Sequence, residues 1–138
     1  MASTGTHRPP AKARKEEAKK QIRASIDTYN QAPRKVRLVT DMIKGKRVAD
    51  AIAALSFLPK RASLPIKKLI ESAAANAKQK GEDVDMLRVE DIRVDSAGML
   101  VRFMPRAMGR AAPIRKRRSQ VVITLGIDPK AVAKAAKA

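Results

Sequence analysis

The sequence predicts an α+β fold with three helices and a long protruding β-hairpin, and three observations predict it. Three successive segments space their apolar residues at helical intervals. Alternating or continuous apolar runs lie before and after them, as strands require. Finally, the stretch RFMPRAMGRAAPIRKRRSQ, Arg102 to Gln120, carries seven basic side chains and no acid, with apolar runs on both sides.

From Ile22, the segment IRASIDTYN alternates Ile22, Ala24, Ile26 and Thr28 against Arg23, Ser25, Asp27 and Tyr29. This is the period-two pattern of a half-buried strand, here an edge strand. APRKVRLVTDMIKGK follows as a helix: Pro33 suits its first turn, Gly45 its C-terminal end, and Val36, Val39 and Ile43 share one face. Arg34, Lys35, Arg37 and Lys44 point elsewhere. A second helix is expected over Val48 to Phe57, with Val48, Ile52 and Leu55 inward and Pro59 closing it. The third places Ile66, Leu69, Ile70, Ala73, Ala74 and Ala77 on one stripe before Gly81 stops it. Pro65 fits this helix without cost if the helix begins at Ser63 or Leu64, and kinks it if the start is earlier.

Leu87 to Val94 has strand composition, but its apolar phase slips between Val89 and Ile92, which a β-bulge or a change of strand partner would explain. Apolar residues resume at Met99, Leu100, Val101 and Phe103. On the far side of the basic stretch, Val121 to Leu125 is apolar except for Thr124, as expected of a strand covered on both faces. Two strands flanking one loop make a hairpin, assigned to residues 96–120. From Ser96 to a turn near Ala107 to Gly109, each arm is roughly 35 Å long at 3.3 Å per residue. A domain this small cannot cover that length, so the distal half must project.

At 138 residues the chain supports one domain, expected over residues 21–127. Residues 1–20 read as a disordered basic tail and residues 128–138 as a flexible Ala/Lys-rich one. The balance of 31 Lys and Arg against 13 Asp and Glu gives a net charge of +18, which repels itself unless a polyanion neutralises it. Nucleic acid is that polyanion. A membrane surface is disfavoured by 2% aromatic content without Trp, and no apolar run approaches the length of a span or a signal-peptide core. The expected location is cytoplasmic.

The chain has no cysteine, and its one histidine, His7, lies in the polar tail as a solvated bystander. No nucleophile–base set and no Gly-rich phosphate loop is visible. Glu82, Asp83, Asp85, Glu90, Asp91 and Asp95 fall close together but read as a turn and a solvent face balancing the neighbouring cations. No enzyme, metal site, cofactor or small-molecule substrate is expected.

An isolated hairpin is marginal in water, so Arg102, Arg106, Arg110, Arg115, Lys116, Arg117 and Arg118 require an external anionic host. Arginine outnumbers lysine six to one here, and its planar donor fork suits phosphates and stacks on bases. Pro105, Gly109 and Pro113 stiffen or bend the arm, while Ala107, Ala111 and Ala112 allow close backbone approach.

Three stretches, APRKVRLVTDMIKGK, LIESAAANAK and RFMPRAMGRAAPIRKRRS, closely resemble motifs of the ribosomal protein L twenty-two family, a universal family of the large subunit. The resemblance runs from about Arg23 to Leu125. Pro65 and the tail from Ala131 depart from the family, and Met108 stands where its tip is commonly basic. The resemblance implies three helices packed on a small antiparallel sheet, with the hairpin threading into large-subunit ribosomal RNA. It implies RNA contacts by Arg34, Lys35 and Arg37 and by the seven hairpin cations. It places the tip, Pro105, Arg106, Ala107, Met108, Gly109 and Arg110, at the wall of the peptide exit tunnel, within reach of the nascent chain. Neighbouring large-subunit proteins are the other implied partners. Read without the resemblance, helices plus a basic, proline-bearing β-arm also describe an architectural DNA-bending protein, with Met108 as its wedge.

Overall fold

A computed structural model of the chain describes residues 21–128. The expected N-terminal tail with His7, and the C-terminal tail beyond Asp128, lie outside the described residues. The architecture is a three-stranded antiparallel sheet in the order β1-β3-β2, with three helices. The strands are β1 (Ile22–Tyr29), β2 (Leu87–Pro105) and β3 (Ala111–Ile127), and the helices are α1 (Pro33–Ile43), α2 (Val48–Phe57) and α3 (Ser63–Gln79).

α1 opens on Pro33, whose missing N–H would have had no partner at a helix start, and ends before Gly45 at φ 78°, a left-handed conformation that glycine adopts without strain. Val36, Val39, Thr40 and Ile43 are its buried face. α2 buries Val48, Ala51 and Leu55, whereas Ile52, expected inward, is only partly buried against the core. The short helix meets its neighbours through the small Ala51, and the larger Ile52 sits at the margin. Leu58, held extended by the following Pro59, ends it. α3 begins at Ser63, so Pro65 lies within the first turn and the helix continues to Gln79. Its predicted stripe of Ile66, Leu69, Ile70, Ala73, Ala74 and Ala77 is buried throughout. The alanines keep α3 close to α2 and β1.

The phase slip between Val89 and Ile92 is a bulge. Val89 pairs with Leu125 and Asp91 with Thr124, leaving Glu90 as the extra residue, and β2 keeps one partner throughout. The slip lets Leu87, Val89, Ile92 and Val94 all reach the core. A second extra residue falls between Ser96 and Met99, where Gly98 adopts φ 93°. β2 therefore passes from body to arm as one bulged strand.

β3 is the central strand. Ser119, Val121, Ile123 and Leu125 are buried, while Val122 and Thr124 on the other face are only partly covered. Among the described residues the expectation of cover on both faces is corrected: the helices take one face, and on the other Val122 and Thr124 stay partly exposed. Asp128, assigned to the tail from sequence, is buried, ion-paired to Arg47 at 3.2 Å, and donates its N–H to Met86 O. The core that results is aliphatic, made of Ile, Val, Leu and Ala side chains. Each of its larger members contributes about 1.5–3 kcal/mol by burial.

Candidate nucleic-acid interface

Beyond Gly98 the hairpin leaves the body. Seven residue pairs, from Met99–Arg117 to Pro105–Ala111, carry it about 20–25 Å at the rise of a β-strand. Every residue from Met99 to Ala111 is exposed. The turn is Ala107–Gly109, with Met108 at φ 59° and Gly109 at φ 66°, closed by Arg106 N–H donating to Arg110 O at 2.7 Å.

The Arg106–Arg110 bond sets the alternation of the ladder. Pairs 104–112 and 102–114 fall at hydrogen-bonded positions, and pairs 105–111, 103–113 and 101–115 at non-hydrogen-bonded ones. Both arm prolines, Pro105 and Pro113, thus occupy sites where no ladder N–H is needed. This register also sorts the cations. Arg115 and Arg117 share a face with Met99, Val101 and Phe103, while Arg102 and Lys116 share the other with Leu100 and Met104.

At the base of the arm two distant sequence segments converge. A groove of about 650 Å³ is lined by Asn30, Gln31, Ala32, Lys35, Arg61, Leu100 and the run Arg115, Lys116, Arg117 and Arg118. On the other side of the start of α1, a second groove joins Arg34 and Arg37 to Ser96 and Arg117. Arg117 lines both. The ten cations expected to bind RNA therefore divide. Arg34, Lys35, Arg37, Arg115, Lys116, Arg117 and Arg118 form one surface at the arm base, while Arg102, Arg106 and Arg110 stand along the arm and at its tip.

The first turn of α1 holds no acid and no side-chain cap. Arg34, Lys35 and Arg37 thus crowd the positive end of the helix dipole, an arrangement that costs free energy until an anion arrives. Arg37 has a second duty: its Nη2 donates to Val94 O at 2.8 Å, fastening α1 to β2. Arg61 was not anticipated. It lies in the α2–α3 connection and reaches the groove because the Tyr29 hydroxyl donates to its carbonyl at 3.2 Å. No local pattern marks such a residue, since only the packing of β1 beside that connection brings it in.

The acids lie elsewhere. Asp91 pairs with Lys44 at 2.8 Å and Asp95 with Arg93 at 2.9 Å, on the body side of the second bulge. Hydrogen bonding to Lys44 holds the Asp91 carboxyl below its ordinary range, and the same bond raises Lys44. Among the described residues no three His, Cys, Asp or Glu side chains gather where they could hold a metal ion. From Ser96 to Gln120 the arm is an acid-free cationic surface, suited to a polyanion.

Comparison with known proteins agrees with this geometry. Residues 24–126 match the family described as ribosomal protein L22p/L17e. The chain is similar to the large ribosomal subunit protein uL22 of Pelobacter propionicus, 48% identical over 103 residues covering 74% of this chain and 93% of the relative. It is likewise similar to the proteins of that name from an Anaeromyxobacter species, 50% identical over 75% of this chain and 73% of the relative, and from Geobacter metallireducens, 47% identical over 76% and 96%.

Proposed function

The chain belongs to the L22p/L17e family of ribosomal proteins, and from that premise we propose that its basic arm and arm base bind large-subunit ribosomal RNA and stabilise its fold. Membership makes it a structural, non-catalytic constituent of the large subunit, in the cytoplasmic ribosome. One observation carries the RNA reading. Lys35 of α1 and Arg115 to Arg118 of β3, some eighty residues apart in sequence, line a single groove with no acid among its lining residues.

The mode of binding is shape-directed. Phosphates and 2′-hydroxyls meet the arm-base cations, while Arg102, Arg106 and Arg110 follow RNA segments along the arm. The tip, Pro105 to Arg110, reaches the wall of the peptide exit tunnel, beside the nascent chain. Neighbouring large-subunit proteins pack against the rest of the body. The arm's projection supports this placement, because a strand pair without a core of its own acquires fixed surroundings only inside a host.

The test is competition at about 0.15 M salt between structured large-subunit RNA and duplex DNA of equal length. Preference for the RNA is expected. Equal or better binding to the duplex would favour a DNA-bending arm instead.

A further inference from the structure

The chain contains two phenylalanines and no tryptophan, and neither phenylalanine is used in the core. Phe57 is 87% exposed and Phe103 is 75% exposed, although a Phe ring is among the most favourable groups to bury. Single exposed apolar residues are ordinary on protein surfaces. Phe103 differs in its setting.

It stands about midway along the arm, directly opposite Pro113. The pair is at a non-hydrogen-bonded position, where opposing Cα atoms approach to about 4.5 Å and side chains lie closest. Two rigid rings are thus set side by side on one face of a narrow ribbon. Arg115 is the diagonal neighbour of Phe103 on that face, with Arg117 two residues further toward the body. From Ser96 to Gln120 the arm has no acid. A flat apolar surface with arginines on its body side matches what single-stranded RNA presents, a base with an unpaired π-face next to its backbone phosphate. Charge complementarity argues for that occupant over an apolar segment of protein.

We propose that Phe103 and Pro113 form a stacking platform for one unpaired base of the RNA that hosts the arm. This rests on the RNA-binding reading above and assigns to the arm a contact that its cations do not make. The arginines hold the backbone without regard to strandedness, whereas the platform requires a base free of its partner. It makes the middle of the arm selective for a single-stranded or extruded nucleotide.

The experiment uses the full chain and two probes, an oligoriboadenylate and a blunt RNA duplex of the same length. Phe103→Leu keeps the apolar character and removes the ring. It is expected to lower affinity for the single strand by about 5- to 150-fold, the range for loss of one stacked base. Duplex affinity and both salt slopes should stay unchanged. Phe103→Trp should retain affinity and place the chain's sole indole at the platform, with emission quenched by the single strand and not by the duplex. Phe103 is outside the core, so both variants should melt as the parent does. The proposal is overturned if Phe103→Leu binds the single strand as the parent does, if it loses equally on both probes, or if the indole emission is unmoved. Failure of the parent chain to bind either RNA in a salt-dependent way is a distinct result, and it would remove the RNA reading itself along with the platform.

Discussion

Arg37 donates from Nη2 to the carbonyl of Val94 at 2.8 Å, so a cation in the middle of a basic motif also holds α1 against β2. Its near neighbour Arg34 lies exposed at the second groove and makes no such bond among the described residues. The two arginines look equivalent in sequence, and the structure separates them.

Their charge reversals should therefore differ. Arg34→Glu is expected to weaken RNA binding without lowering the thermal melt, which an acid at the start of α1 should if anything raise slightly. Arg37→Glu is expected to weaken binding and also to lower stability by about 1–2 kcal/mol, because a charge-assisted bond to a part-buried carbonyl is lost. Parallel melts and RNA titrations decide this, and identical melts for the two variants would contradict the fastening role.

The salt dependence of RNA affinity measures how many phosphates the arm neutralises. Seven hairpin cations, each weighted by the roughly 0.7–0.9 known for single strands and duplexes, give a log–log slope of about −5 to −6. Titrations across a range of monovalent salt read it directly. A slope near about −1 would mean that the hairpin is not the main electrostatic site.

Shortening the arm should spare the body. The register makes Arg102–Ile114 a hydrogen-bonded pair, so replacing Phe103 to Pro113 by Asn-Gly closes a two-residue turn without shifting either strand. Every residue removed is exposed except Ala112, which is only part-covered. Stability is expected to change by less than about 1 kcal/mol. The salt slope should fall by about 1.5, for the loss of Arg106 and Arg110. Loss of the cooperative melt would show that body and arm are not separable.

The Lys44–Asp91 pair predicts a pH dependence whose sign follows from the directions of its shifts. The Asp91 carboxyl is lowered by its bond to Lys44, so its contribution to stability is present above the ordinary carboxylate range and lost as pH falls through the lowered value. Lys44 is raised by the same bond, so its contribution is present below the ordinary lysine range and lost only as pH rises through the raised value. Melts of the parent and Asp91→Asn should therefore differ slightly at neutral pH and converge in acid, below about pH 4. The difference should also shrink at high salt, since both groups are more than half exposed.

What the sequence determined by itself was everything with a local cause. Helix bounds followed from Pro33, Pro59 and Gly81 together with the 3.6-residue period, and the bounds of α2 and the buried stripe of α3 were legible to the residue. The slip between Val89 and Ile92 was visible as a break in phase, because a period of two tolerates no extra residue without turning a face away from the core, and the register then decided for a bulge over a change of partner. The arm's projection followed from length alone, and the family motifs named the cations.

Tertiary structure decided what depends on residues far apart in the chain. Ile52 yielded its place to Ala51 because interhelical distance, not hydrophobicity, selects the contact. β3 was expected to be covered twice and among the described residues is covered once, since a continuous apolar run also suits a central strand sheltered by its neighbours' side chains. Arg61 entered the groove, Arg37 met Val94 and Phe103 met Pro113 only when register and packing set their separations. A one-residue change in that register would break each cross-strand pairing while leaving every local pattern in the sequence intact.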